Sequence, residues 1–298
     1  MLEDKKFMKT LVRSFVGRAP LMLQMQMAKV ILWLEDVLQV FRCSYLRRSG
    51  MTEFLLDAHS PHGDVCHILA SGWSLNDSFP RIDRSNAFVI GFNFSFLKCP
   101  DPDVHFIENA SSADKRFFIN TFHHYAALNI FKISDKTRLV FKNISEFKNS
   151  TKLICWLYGR EAEFVRDRHY RIFSGKGVGP TLALMLEDKR GLPQAVSSVV
   201  GLVIWAKNMG FKNIVVHGLD FYGPHFYGPD LHKAIFEGYI PACFDPAIGS
   251  HKTVVGENGV GVKDLFIELK KSLERHGVKL SAGSALSPSA VFLGSTYD

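Results

Sequence analysis

Short apolar runs closed by small or polar residues constrain the fold of this chain most. VCHILAS (65–71), NAFVIGFNFSF (86–96), DVHFIEN (103–109) and NIVVHGLDFYG (213–223) are shorter than ordinary helices and more continuously apolar than strands with one wet face. Each reads as a strand covered on both sides, the pattern of a parallel sheet. KTRLVFKNI (136–144) and TKLICWLYG (151–159) are further strand candidates, and VKLSAG (278–283) a last short one. Helical stretches fall between them: a short turn of helix after GWSLND, residues 115–131, the apolar segment 194–211 with Gly210 as its stop, and the amphipathic segment 262–277 ended by Gly277. Residues 160–192 and 223–259 are rich in Gly, Pro or charge and are expected to be loops or lid elements. Strands alternating with helices predict an α/β fold, a doubly wound and mostly parallel sheet over residues 61–298.

Ligands of such sheets sit beyond the carboxyl ends of the strands. The candidates are therefore Ser71, Gly72 and Ser74 after the first run, Asn93, Asn109, and Asp220 to Tyr222 after the fourth. A small-residue turn such as Ala70-Ser71-Gly72-Trp73-Ser74 lets backbone N–H groups approach a phosphate, with the positive end of the next helix behind them. It equally closes a strand with no ligand. Asp220 has three roles open to it: binding a ribose hydroxyl, holding a metal, or organising its own loop. Asp101-Pro102-Asp103 spells a DxD, but it precedes its strand and so lies at the opposite sheet edge; a turn at Pro102 accounts for it. His251, in the polar stretch GSHKT, is available as a general base near neutral pH, one of 12 histidines.

Residues 1–60 read as a separate helical extension. Arg13, Arg18 and Pro20 spoil a signal peptide, and Gln24, Gln26, Lys29, Glu35 and Asp36 break any membrane-spanning run. Two amphipathic helices divided near Gly17–Pro20 fit better, the second carrying Leu23, Met27, Val30, Ile31, Leu34, Val37, Leu38 and Phe41 at helical spacing. Such a helix packs on its own protein or a partner chain. Alternatively it lies in a membrane interface, with Trp33 and Phe41 buried and Lys29, Arg42, Arg47 and Arg48 at the headgroups. The formal charge is +7, and residues 1–50 hold nine Lys/Arg against four Asp/Glu, so most of the excess sits there. No basic-aromatic pattern of a nucleic-acid module is present. The five cysteines, Cys43, Cys66, Cys99, Cys155 and Cys243, show neither CxxC pairs nor even number, which fits a reduced cytoplasmic chain.

Taken in order, these pieces resemble glycosyltransferase family 42, the bacterial sialyltransferases that use CMP-activated sugars. The resemblance runs over residues 65–293: a strand and a turn ending Ser74-Leu75, strands ending at Asn93 and Asn109, a helix led by Ser198, then Gly218-Leu219-Asp220-Phe221-Tyr222, a loop Tyr227, and His251 before Val262-Lys263-Asp264-Leu265. It implies a Rossmann-like domain with a lid, transfer with inversion, and no metal or other cofactor. By position it implies that Asn93 and Asn109 hold the cytidine nucleotide and donor sugar. Ser198 would contact the donor carboxylate, Tyr222 and Tyr227 the leaving phosphate, and His251 would deprotonate the acceptor. Two positions depart: Ser71 stands where the family has Asn, and Ala195 where it has Arg. Similar blocks occur in Kdo transferases and in a group that includes a pterin pyrophosphokinase.

The sequence thus predicts a CMP-sugar glycosyltransferase acting on a cell-surface glycan, such as a lipopolysaccharide precursor, at the cytoplasmic face of the membrane. It leaves a homo-oligomer open. A pterin-type pyrophosphokinase, needing ATP and Mg²⁺, and a non-catalytic relative are the competing readings. His251→Ala is expected to cut turnover by roughly 10²–10⁴-fold with donor binding retained. Steady-state kinetics beside a binding titration checks this, and an inactive His225→Ala with an active His251→Ala would reassign the base.

Overall fold

The structure is a computed structural model. It describes residues 16–55, 63–108, 133–142, 151–152, 155–156, 159–161, 163–223, 225–226, 244–245, 250–251, 254 and 259–297. Helix α1 (Leu21–Arg48) opens the fold after a break at Ala19–Pro20 and leads into strand β1 (Thr52–Glu53). Strand β2 (Val65–Leu69), the short helix α2 (Leu75–Ser78), β3 (Ala87–Phe92), β4 (Val104–Glu108) and β5 (Arg138–Lys142) follow. Next come β6 (Glu163–Phe164), β7 (Asp167–His169), α3 (Val178–Glu187), β8 (Leu192–Gln194) and α4 (Ser198–Asn208). The chain continues through β9 (Asn213–His217), β10 (Phe244–Asp245), β11 (Ser250–His251), α5 (Val262–Arg275), β12 (Lys279–Ala282) and α6 (Ala290–Leu293).

Eight strands form one sheet in the order β1-β6-β5-β4-β3-β2-β9-β12, and every pairing in it is parallel. The expected α/β class is the observed one. Alternate strand residues serve opposite faces. Cys66, Ile68, Phe88, Ile90, Val104, Phe106 and Val140 face a core shared with α3, α4 and α5. On the other face lie one cluster around Phe94, Ile107, Leu139 and Phe141 and another around Leu69, Leu75 and Val89. Helix α4 is buried from Ser198 to Ala206, which explains why its segment is apolar on all sides. Its Trp205 meets the rings of Phe54, Phe88 and Phe106 edge-on, at 5.5, 6.5 and 5.2 Å between centroids.

Three expectations need correction. Where it is described, the segment 151–159 is not a strand: residues 151–152 and 155–156 are helical, and burial of Thr151 and Cys155 beside exposed Lys152 and Trp156 is a four-residue period. The stretch 160–192 holds β6, β7 and α3 rather than loop alone. Its Gly-Pro signal marks the first turn of α3, where Pro180 forfeits no helical hydrogen bond. Helix α4 begins at Ser198, later than the apolar run suggests, because Leu192–Gln194 pairs with β7, Val196 takes φ 59° and Ser197 caps the helix. Cys43, Cys66, Cys99 and Cys155 are all buried and free.

Helix α1 docks through a mixed face of apolar and polar side chains. Gln24, Ala28, Cys43 and Leu46 are buried, while Leu23, Val30, Leu34, Val37, Leu38 and Phe41 are exposed. Arg168, itself buried, donates to both carboxylate oxygens of Asp36 and pairs with Asp188. Arg171 reaches Glu35 at 3.0 Å, and the Ser174 hydroxyl donates to Gln24 Oε1 at 2.8 Å.

A chain of buried polar groups joins β2 to β9. Ser78 Oγ donates to the Ser74 carbonyl at 3.2 Å and so accepts from His217 Nδ1 at 2.8 Å. His217 Nε2 then accepts from His67 Nδ1 at 2.8 Å. Burial holds His67 at about 4, His217 well below its ordinary value, and His105 of β4 at about 4. These folded-state values are depressed, so the unfolded chain binds more protons below about pH 6.5. Stability should therefore fall as pH drops from there towards 4, by up to about 1.4 kcal/mol per pH unit for each histidine. Urea melts across this range check it. His67→Asn, which keeps a donor near the Nδ1 position but cannot titrate, should flatten the slope by one such contribution.

Candidate functional site

The chain leaves β2 for β3, β4, β5 and β6 on one side, then returns to β9 and β12 on the other. The connections from β2 and β9 diverge, which makes their carboxyl ends the switch point of the sheet. The loops Ala70–Ser74 and Gly218–Gly223 meet there. Gly72 N donates to Gly218 O at 2.9 Å. Asp220 Oδ2 accepts from Ser74 N at 2.7 Å, and its Oδ1 from Ser74 Oγ at 2.5 Å and from Ser287 Oγ at 2.8 Å. Burial raises the Asp220 pKa against the opposing pull of these hydrogen bonds. Of the three roles open to Asp220, the geometry supplies the organising one: both oxygens are engaged and the residue is 3% exposed. Gly72 has to lack a side chain, since a Cβ would lie 2.4 Å from Asp220 Oδ2 and 2.6 Å from Gly218 O.

The clamp shapes the rim around it. Phe221 takes φ 62°, Tyr222 N turns back to Asp220 O at 2.7 Å, and Tyr222 is left 58% exposed. His225 Nδ1 donates to Ser71 O at 3.3 Å, and Phe226 N to the same oxygen at 3.0 Å. These bonds lay the loop after Tyr222 along Ser71 and Gly72, where Gly72 and His225 form an antiparallel bridge.

A second polar group forms at the ends of β3, β4 and β5. Asn93 follows β3 with φ 48°, a conformation asparagine tolerates better than most residues. Its backbone oxygen accepts from His105 Nε2 at 2.8 Å, and its Oδ1 accepts from Glu108 N at 2.9 Å. With that oxygen engaged, what Asn93 has to offer a ligand is its amide NH₂. Lys142, the last residue of β5, is completely buried, and its Nζ donates to Ser198 Oγ at 2.7 Å. Ser198 in turn donates to Glu108 Oε2 at 2.9 Å. Lys142 Nζ also stands 3.8 Å from Glu108 and 3.9 Å from Asp167, a carboxylate that accepts from Gln194. Its charge lies 5.7 Å from the Phe92 ring centre.

Ser71, Gly72, Ser74 and Asp220 are thus brought together at the β2/β9 crevice with Tyr222 at its rim, and Asn93 and Ser198 meet at the second group through Glu108. Asn109 and Tyr227 lie outside the described residues. His251 pairs with Phe244 in the two-stranded β10–β11 ribbon, and its side chain lies outside the described ones. His217 is packed in the sheet, as its strand position suggests. The DxD is structural: Asp103 accepts from Val89 N at 2.7 Å, and Asp101 pairs with Arg84 at 2.7 Å. Sequence reasoning missed Lys142, Glu108, Asp167 and Ser287. Lys142 and Glu108 end the runs LVFK and HFIE, and a charge closing a strand buried on both faces is the signal that points to them.

Fold and strand ends together define a parallel α/β protein whose candidate site lies at the carboxyl edge of its sheet. No family model matches the chain, and no curated protein sequence matches it. Solved structures that resemble it include the monofunctional alpha-2,3-sialyltransferase Cst-I from Campylobacter jejuni, at 16% identity over 78% of this chain and 80% of that one, with a TM-score of 0.45. The sialyltransferase CstII from the same organism, in complex with cytidine-5'-monophosphate, shows 17% identity over 78% and 85%, with a TM-score of 0.41. A Campylobacter jejuni alpha-2,3-sialyltransferase in apo form shows 16% over 82% and 84%, at 0.43.

Ser74→Ala removes one of the donors to a buried carboxylate. It is expected to lower stability by about 1–3 kcal/mol, measurable by denaturant unfolding. A change within error would mean that Asp220 is held by its other partners.

Proposed function

We propose that this protein is a glycosyltransferase of the sialyltransferase kind, moving sialic acid or a related ulosonic acid from a CMP-activated donor to a cell-surface glycan. The observation that carries the reading is Lys142 on Ser198. An ammonium and a hydroxyl at the N-terminus of α4 are suited to a carboxylate, which an ulosonic acid has and a neutral hexose lacks. Glu108 now accepts the Ser198 hydroxyl, and a donor carboxylate would take its place. Ala195 is buried and uncharged, and Lys142 would supply the cation at Ser198 in place of the family's Arg.

The remaining roles are those that the resemblance to family 42 implies. Asn93, with Asn109, would bind the nucleotide and donor sugar, and the Ser71–Gly72 turn would lie beside the phosphate. Tyr222 and Tyr227 would donate to that phosphate as it leaves. His251 would take the proton of the acceptor hydroxyl, whose oxygen bonds to the anomeric carbon as the carbon–phosphate oxygen bond breaks. CMP departs with the electron pair, and the configuration inverts. Two phenol donors suit a monophosphate leaving group without a divalent ion. Lys142 also stands between Glu108 and Asp167, so an ammonium already takes the place of a cation between those two carboxylates.

CMP and a CMP-ulosonic acid should raise the melting temperature in the presence of EDTA. Stabilisation seen only with UDP or with ATP and Mg²⁺ contradicts the proposal. Lys142→Met should weaken the CMP-sugar by roughly 10- to 100-fold, the worth of a charge-assisted hydrogen bond, and leave CMP itself little changed. Equal loss for both ligands would place Lys142 away from the sugar carboxylate.

A further inference from the structure

The outward face of α1 is apolar even though the inward face already packs Ala28, Cys43 and Leu46 against the protein. Both acidic residues of the helix point inward, Glu35 to Arg171 and Asp36 to Arg168. Val30, Trp33, Leu34, Val37, Leu38 and Phe41 point outward, Trp33 at 63% and Phe41 at 70% exposure. At 3.6 residues per turn these six fall within an arc of about 140°. Lys29 and Arg47 border the arc on one side and Arg42 on the other, all exposed, and Arg48 ends the helix. From Val30 to Phe41 the apolar six cover 12 of the helix's 28 residues, and at 1.5 Å per residue that is a stripe about 18 Å long. Among the described residues no helix is long and apolar enough to cross a membrane.

We propose that this face rests on an anionic lipid surface, the axis of α1 in the interfacial plane, Trp33 and Phe41 among the acyl chains, and Lys29, Arg42 and Arg48 at the phosphates. Charge complementarity selects this occupant over a second copy of the chain. Two α1 faces packed on each other would border one seam with Lys29 and Arg42 from both copies, with no outward acid on either helix to meet them. Lipid phosphates supply that missing charge. The inward acids have their own arginine partners, so docking α1 on the protein leaves an outer surface that repels no anion.

The full chain should sediment with phosphatidylcholine vesicles that contain phosphatidylglycerol, less with phosphatidylcholine alone, and less again in high salt. Lys29→Gln, Arg42→Gln and Arg48→Gln combined should weaken binding to the anionic vesicles by roughly 100-fold, at about fivefold per basic residue. Trp33→Gln with Phe41→Gln should weaken it at least about tenfold, with the melting temperature unchanged. Wild-type protein that stays in the supernatant with anionic vesicles overturns the proposal. So does binding that neither set of substitutions weakens. A dimer in solution that Trp33→Gln and Phe41→Gln dissociate, without vesicle binding, would assign the face to a second copy and overturn it equally. The proposal does not depend on the transferase reading.

Discussion

The Asp220 carboxylate accepts hydrogen bonds from segments that follow two other strands of the sheet. Ser74 comes after β2, Ser287 after β12, and Asp220 itself after β9, and these three strands are neighbours in the order β2-β9-β12. A parallel strand ends in a loop that has no neighbour to pair with, and its polar backbone must be satisfied by other means. Here one buried carboxylate gathers the loops and leaves Gly72 pressed against it. The turn of Ser71 to Ser74, the exposure of Tyr222 and the run of the next loop over Ser71 all follow from that clamp. A carboxylate so engaged serves the site as its frame.

The second polar group works differently. Glu108 and Lys142 end the neighbouring strands β4 and β5, Asp167 opens β7 and Ser198 opens α4, and the ammonium stands between the two carboxylates. Burying a lysine is costly unless it is paired and hydrogen-bonded, and this one is both. Among the described residues Ser198 alone is at close hydrogen-bonding distance from its ammonium; the two carboxylates stand farther off. That asymmetry keeps the ammonium directed at the serine on the first turn of α4, the place where the helix dipole also favours an anion.

Much of the sheet was legible in the sequence, because strands buried on both faces leave continuous apolar runs. VCHIL, AFVIGF, VHFIE, RLVFK and NIVVH all became strands of the central sheet. TKLICWLYG failed for the same reason that those succeeded: a short apolar run has no period strong enough to separate strand from helix. Helix α3 hid behind Gly and Pro, residues that mark a helix start as readily as a loop. The strand-end positions of the site could be read from the sheet rule, whereas the Lys142–Ser198 pair could not. It joins residues 56 apart in the chain, and no local spacing encodes that meeting. Helix α1 was legible as a helix, but periodicity does not say which face turns inward. Arg168 and Arg171 settle it by pairing with its acids, and their partners are 132 and 136 residues away.

A crystal structure with an unreactive CMP-ulosonic acid analogue bears on the central claim most directly. The nucleotide should lie across the carboxyl ends of β9, β2 and β3, and the sugar carboxylate within hydrogen-bonding distance of Ser198 Oγ and Lys142 Nζ, with Glu108 displaced. An analogue seated away from that edge, for example in the cleft between α3 and α5 lined by Gly179, Asp264 and Glu268, would contradict it. So would one whose carboxylate points away from Ser198 while Glu108 keeps its place.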